Sequence, residues 1–307
     1  MFLEINQVDI GYSKTLISSV SAKLDLGQIC LVIGNNGVGK TTLIKSILHQ
    51  IPILNGEIKI NNRNISTTSV NEIAEMVAIV FSKANLPNNY TVTDLISFGK
   101  FQQYPFYFEL NDGDKKEVQN IIQLLGLEEY QNTVLQKLSD GNLQKAFIGR
   151  ALAQNAPFII LDEPTAHLDE ENKIKILKIL RNLAKDHHKL ILFTSHDWRL
   201  AKEFADRIWY IDQQQLQDGI AEDVLMQNPQ LSNPQLFNFH PNFVSPQISA
   251  ADFEKELLYS TLQKNFNSDL SNWQIEKNID FWLVKKDNFQ EKTSKFEDII
   301  KIIANHL

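Results

Sequence analysis

The chain has 307 residues, 43% of them hydrophobic, enough for one large domain and a smaller one with a sizeable core. Its net charge is −7 with no basic block, which disfavours bulk nucleic-acid binding. One cysteine, Cys30, excludes an intramolecular disulfide, and no stretch reaches the ~20 apolar residues of a membrane-spanning helix. The start, Met1-Phe2-Leu3-Glu4-Ile5, lacks the charged and apolar regions of a signal peptide, so any membrane association is expected to run through a partner.

Residues 1–33 read as strands, with Gly11, Ser13 and Gly27 at turns and Leu24–Gln28 as a hairpin connection. Ile29-Cys30-Leu31-Val32-Ile33 is continuously apolar, and Cys30 within it reads as a small core residue. Next comes Gly34-Asn35-Asn36-Gly37-Val38-Gly39-Lys40-Thr41-Thr42, a complete phosphate-binding loop, followed by the helix-like Leu43–Leu48. Its glycines let the backbone curl so that successive N–H groups face phosphate oxygens. Lys40 adds a point charge at the β- and γ-phosphates, and the Thr41 hydroxyl suits Mg²⁺. The helix dipole behind the loop favours the same anion. Strand, glycine-rich turn and helix together predict a nucleoside triphosphate site. Farther on, Gly56–Asn61 alternates like an antiparallel strand, and Met76–Phe81 is another apolar strand, followed by Ser82 and Lys83. From about 86 to 137 the pattern is helical: Thr91 caps Val92–Phe98, and Asp112–Leu125 carries apolar positions at helical spacing up to Gly126.

Leu138-Ser139-Asp140-Gly141-Asn142-Leu143-Gln144-Lys145 opens the helical run Ala146–Asn155. A serine at such a start either caps its helix or presents its hydroxyl and the helix amides to a phosphate from another subunit. Phe158-Ile159-Ile160-Leu161-Asp162-Glu163 is an apolar run ending in two acids, the pattern of a buried parallel strand whose C-terminal end carries ligand. Asp162 there can hold Mg²⁺, and Glu163 can polarise a water for in-line attack on the γ-phosphate. Glu170–Lys185 reads as a helix and Leu190–Ser195 as a strand ending at His196. That histidine either reaches the γ-phosphate or is a solvated strand-end residue. Arg199–Phe204 as helix and Arg207–Asp212 as strand complete a parallel sheet layered with helices.

These motifs, in this order, resemble the ATP-binding-cassette (ABC) ATPases over about residues 1–220. The family's Leu-Ser-Gly-Gly-Gln signature stands here as Leu138-Ser139-Asp140-Gly141-Asn142, followed by Arg150-Ala151-Leu152-Ala153. Pro164-Thr165-Ala166-His167-Leu168-Asp169 looks like the family's D-loop. The resemblance implies that Tyr12 stacks on adenine. It implies that Ser139, Gly141, Asn142 and Asp169 join the nucleotide site, and that two chains sandwich ATP head to tail. Two residues depart from the pattern. Ser82 stands where the family has a Gln that touches Mg²⁺ and the attacking water, and Asp140 replaces the first signature glycine.

The resemblance thus implies an α/β P-loop NTPase with a parallel core sheet, an antiparallel β-subdomain and a helical subdomain at about 86–145. Tyr90–Lys100 and the aromatics up to Phe108 resemble the helical subdomain of importers for ferric siderophores, haem and vitamin B12. The implied function is the ATPase of an importer for such a ligand. It would use ATP and Mg²⁺ and work as a homodimer on the cytoplasmic face of the membrane, against permease subunits and, through them, a substrate-binding protein. An efflux cassette, or an ABC ATPase outside transport, is the alternative. The single phosphate-binding loop and lone cysteine argue against the tandem-cassette and zinc-bearing soluble members.

The nucleotide-binding domain is expected over residues 1–227. Four prolines between Asn228 and Pro246 suggest a linker. Beyond it, Asp252–Asn265 reads as a helix, Trp273–Glu276 and Asp280–Lys286 as short strands, and Ser294–Asn305 as an amphipathic helix. The expected appendage over 228–307 is a small αββα domain resting on the cassette or its twin. It serves as packing or dimer appendage, or as a regulatory module, outside the ATP site.

Overall fold

A computed structural model describes residues 1–81, 89–104, 109–166, 168–197, 204–228, 240 and 242–307. Ser82, most of the aromatic run up to Phe108, the helix expected from Arg199 and most of the proline-rich stretch lie outside the described residues. The chain divides into two units, Met1–Ser232 and Asn233–Leu307.

The first unit begins with β1 (Leu3–Gly11), β2 (Thr15–Leu24) and β3 (Ile29–Gly34), then α1 (Lys40–Ile47), β4 (Asn55–Ile60) and β5 (Arg63–Asn64). There follow α2 (Val70–Met76), β6 (Val77–Val80), α3 (Val92–Ser97), α4 (Asp112–Leu124) and α5 (Asp140–Ala153). The unit closes with β7 (Phe158–Leu161), α6 (Glu170–Lys185), β8 (Leu190–Ser195), β9 (Arg207–Asp212), β10 (Gln215–Ile220) and α7 (Ala221–Gln227). Strands β2-β1-β4-β5 form an antiparallel sheet. The central sheet has the order β10-β9-β3-β8-β7-β6, parallel except for the β9–β10 hairpin. This is the expected α/β P-loop architecture, with α3, α4 and the start of α5 in the segment expected to be helical.

Continuous apolar strands are needed because the central sheet is covered on both faces. Successive side chains point to opposite faces, so each strand splits its residues between two cores. Ile29, Leu31, Ile33, Ile159, Leu161, Ile191 and Phe193 pack with α3, α4, α5 and α6. Cys30, Val32, Phe158, Ile160, Leu190 and Leu192 face the antiparallel sheet and Leu43, Ile44 and Ile47 of α1. Cys30 is fully buried, and that burial pushes its thiol well above the usual range, as an inert core residue requires.

Helix starts are set by local side chains. Ser69 with Glu72 and Thr91 with Asp94 form capping boxes on α2 and α3. Asn111, Ser139 and Asp169 cap α4, α5 and α6. Strand β10 escaped the sequence reading because Gln215–Ile220 is too polar to show an apolar period. Its hairpin turns through Gln213 (φ 45°) and Gln214 (φ 64°), which adopt the left-handed pair of a two-residue turn without the usual Asn-Gly signal.

The second unit holds β11 (Gln247–Ser249), α8 (Asp252–Asn265), β12 (Gln274–Lys277), β13 (Trp282–Lys286), β14 (Phe289–Thr293) and α9 (Phe296–Asn305). The αββα expectation is therefore corrected: four strands pair in the order β11-β12-β13-β14, not two. Three-residue β11 and polar β14 are edge strands, held by backbone ladders rather than by an apolar pattern. Leu258, Leu262, Trp273, Ile275, Trp282, Val284, Ile299 and Ile303 form this unit's own core. Ammonium groups sit over its aromatic rings: Lys286 over Trp273 at 5.0 Å and Lys277 over Trp282 at 5.6 Å. The apolar stripe of α9 is thus buried within its own unit.

Separate cores predict separable units. Trp273→Ala should cost the second unit about 3–5 kcal/mol, the usual range for a buried aromatic, and lower only its transition in calorimetry. A chain ending at Ser232 should stay folded and bind ATP. Loss of ATP binding in a folded truncated chain would place part of the site in the second unit.

Candidate functional site

Strands β3, β7 and β8 run parallel and side by side, so their C-terminal ends lie together. This is where open α/β sheets place ligands. From β3 the chain enters the glycine loop. Gly37 (φ 82°) and Gly39 (φ 109°) take conformations that a Cβ would strain. Gly34 lies so close to the backbone of β9 that an added Cβ would stand 2.7 Å from the Ile211 carbonyl oxygen.

Helix α1 starts at Lys40 rather than at Leu43, so Lys40, Thr41 and Thr42 form its first turn. Unlike α2 to α6, it has no side-chain cap: its N-cap is Gly39, and no acid lies in its first turn. Its free N–H groups and positive dipole end therefore face the exposed loop of Asn35, Asn36 and Gly37, with Val38 half-buried. That is an anion cradle. Lys40, only 7% exposed, donates from Nζ to the carbonyls of Gly34 (2.7 Å) and Asn35 (3.0 Å). Burial lowers its pKa, and the carboxylates of Glu163 and Asp162 partly offset that.

Five side chains and one amide link the strand ends. The Thr41 hydroxyl donates to Asp162 Oδ2 at 3.3 Å. The buried Thr194 hydroxyl, near the end of β8, donates to Asp162 Oδ1 at 2.7 Å. The same hydroxyl accepts the Glu163 N–H at 2.8 Å. Glu163 is held at φ 53°, the left-handed region, a strain of roughly 1–3 kcal/mol of the kind found at functional sites. Its Oε1 lies 2.5 Å from His196 Nε2. His196 is therefore partnered by the acid, not a free strand-end residue. Glu163, Thr165, Lys173, Ser195, His196 and Asp197 line a cavity of about 190 Å³ beside this pair.

The donor set suits a hard cation. One carboxylate and one hydroxyl converge, and Mg²⁺ is commonly held by one or two carboxylates with phosphates and water completing its shell. Among the described residues no cluster of three or more His, Cys, Asp or Glu could hold a metal by itself.

The remaining predicted residues stand apart from this network. Tyr12 is 58% exposed just past β1, an open ring face. Ser139 accepts the Asn142 N–H at 3.4 Å as the cap of α5. Gly141 abuts Asn172, whose side chain a Cβ there would meet at 2.8 Å. Asp169 caps α6, with both carboxylate oxygens bonded to Asn172. Thr194 was missed in the sequence. Its only signal was a hydroxyl at the end of an otherwise apolar strand. Arg150, noted only as part of a motif, donates to the Ile79 carbonyl at 3.0 Å and ties α5 to β6.

Residues 17–166 match the family model described as ABC transporter. The chain is 29% identical over 246 residues to the petrobactin import ATP-binding protein FpuD of Bacillus anthracis, covering 76% of this chain and 90% of that protein. It is 31% identical over 204 residues to the iron(3+)-hydroxamate import ATP-binding protein FhuC of Bacillus subtilis (strain 168), covering 66% and 76%. Among solved structures, a dimeric post-hydrolysis state of the ATP-binding cassette MJ0796, bound to ADP and Pi, superposes with a TM-score of 0.63. It is 23% identical, over 71% of this chain and 98% of that one. With the phosphate loop, the paired acids and the histidine gathered on one sheet edge, the chain belongs to the ATP-binding subunits of ABC transporters and is an ATPase.

Proposed function

We propose that this ATPase energises uptake of an iron complex of the siderophore or haem type, or of a vitamin B12-like ligand, through a separate permease. The observation that carries the cargo assignment is the similarity to FpuD and FhuC, whose names record petrobactin and iron(3+)-hydroxamate import. Among the described residues no helix is long and apolar enough to cross a membrane. Attachment to the cytoplasmic membrane face is therefore assigned to contact with permease subunits, and a substrate-binding protein acts only through them.

The roles we assign rest on the hydrogen-bond network for residues 34–42, Asp162, Glu163, Thr194 and His196, and on the family resemblance for the others. Residues 34–42 cradle the triphosphate through backbone N–H groups, with Lys40 as the point charge. Thr41 and Asp162 hold Mg²⁺, which neutralises phosphate charge when bound. Glu163 orients and deprotonates the attacking water. His196, bonded to Glu163, fixes that carboxylate's direction, and we assign it the γ-phosphate contact that the resemblance implies. Thr194 keeps the two acids on separate tasks, Asp162 toward Thr41 and Glu163 toward His196. Tyr12 stacks on adenine. Ser139, Gly141, Asn142 and Asp169 complete the site of a second copy, so that two chains close on ATP and part after hydrolysis. That MJ0796 forms a dimer is consistent with this assembly. Ser82, outside the described residues, would from its place in the sequence stand where a Gln stands elsewhere in the family.

Glu163→Gln should keep ATP binding and slow hydrolysis by a factor of about 10²–10⁴, the usual worth of a general base. ATP should then hold a stable dimer in size-exclusion chromatography, and near-normal turnover would remove Glu163 from the mechanism. Lys40→Ala should instead weaken triphosphate binding itself, read by fluorescent-nucleotide titration. Thr194→Val leaves Asp162 and the Glu163 N–H each short of a partner, at a cost of about 1–3 kcal/mol in stability, with slower turnover. Unchanged melting and turnover in that variant would make the bridge dispensable.

The cargo is tested in cells. Deleting the chain should abolish uptake of radioiron supplied as a siderophore complex, and restoring it with Lys40→Ala should not rescue. Unaltered iron uptake with a loss of drug or lipid export would replace the import reading by efflux.

A further inference from the structure

A second cavity, of about 300 Å³, opens between α4, the C-terminal end of α5 and the corner joining α6 to β8. Its apolar lining comes from Ile121, Leu124, Leu152 and Leu183. Leu124, at 44% exposure, leaves an apolar surface without cover at the end of α4. Lys189 lines the same cavity. Its Nζ donates to the carbonyls of Ala156 (3.0 Å) and Asn155 (3.5 Å) and to Asn155 Oδ1 (3.4 Å). All three are neutral acceptors. Among the described residues Lys189 forms no ion pair, and Glu117, which faces the same cavity, already accepts from Lys100 at 2.6 Å. Burial lowers the pKa of Lys189, and the nearby Glu117 carboxylate partly offsets that without bonding to it.

The cavity is separate from the nucleotide site. Lys189 directly precedes β8, and Asn155 and Ala156 precede β7, so the cavity lies at the N-terminal ends of these strands. Asp162, Glu163 and His196 follow their C-terminal ends. At about 3.3 Å per residue, the six residues of β8 set the two sites roughly 20 Å apart. Two elements nevertheless reach both: β8 leads from Lys189 to His196, and α5 leads from Ser139 to Asn155.

We propose that this cavity is a binding site for a small apolar monocarboxylate, its carboxylate paired with Lys189 and its body on Ile121, Leu124, Leu152 and Leu183. Charge complementarity selects the acid: a half-buried cation whose hydrogen bonds all go to neutral oxygens, with Glu117 bonded to Lys100 instead, gains from a directly paired anion. The volume, at the small end of the ~300–1,000 Å³ of ligand pockets, selects metabolite-sized bodies. The remaining charged or titratable groups on the rim are Glu117, committed to Lys100, and the exposed His187. A second carboxylate would meet Glu117 and be disfavoured.

Calorimetric titration of the full chain with isovalerate, phenylacetate and indole-3-acetate, each against its neutral amide, tests the assignment. At least one acid should bind about tenfold more tightly than its amide, the scale of a partly desolvated charge pair. Lys189→Met should erase that preference while leaving fluorescent-ATP affinity unchanged. Leu124→Trp, at an exposed position that tolerates the larger ring, should block acid and amide alike. Acid and amide binding equally, acid binding that survives Lys189→Met, or no binding of any of the three acids would each overturn the proposal.

Discussion

The hydroxyl of Thr194 is the joint on which the catalytic arrangement depends. It donates to Asp162 and accepts from the Glu163 amide, so a single buried oxygen sets the course of the chain just past β7. Two adjacent carboxylates repel each other and gain from separate partners. The joint gives them these: Asp162 turns to Thr41 and the phosphate loop, while Glu163, held in a left-handed conformation, turns to His196. Three strands that are far apart in sequence thereby contribute to one chemical unit. A hydrogen bond inside a dry sheet edge is electrostatically stronger than in water, and an unmade one costs more.

That joint works only on a rigid platform. The central sheet is packed on both faces, with its strand residues divided alternately between two cores. Such close-packed interiors transmit displacement instead of absorbing it. The helical subdomain is fastened to the same platform. Arg150 of α5 bonds the end of β6, and Gly99 approaches α5 so closely that an added Cβ would lie 2.2 Å from the Arg150 carbonyl oxygen. The signature residues Ser139, Gly141 and Asn142 start the helix whose far end borders the Lys189 cavity.

The second unit follows a different economy. About seventy residues of sheet and helix carry a separate core of two tryptophans and several isoleucines and leucines, with lysine ammonium groups over the aromatic rings. Its hydrogen-bonded edges, β11 and β14, are short or polar, which discourages pairing with other chains. Among its described residues nothing resembles the acid, histidine and phosphate-loop chemistry of the first unit.

The sequence by itself determined the phosphate loop, the acid-ended strand and the histidine-ended strand, because each is a local pattern. A glycine turn, a fully apolar run and a terminal polar residue are legible within ten residues of chain. It also specified the central parallel strands and Asp252–Asn265, where apolar period or length was strong. It did not show β10, β11 or β14, whose residues are held by ladders to neighbouring strands and carry little apolar pattern of their own. Only the tertiary structure decided that Thr194 bridges the two acids, that the solvent-exposed His196 meets Glu163, and that Lys189 lines an apolar cavity. These are contacts between residues thirty or more apart in the chain, or between a loop residue and helices that precede it. Their partners are fixed by strand order and register, which no local window of sequence contains.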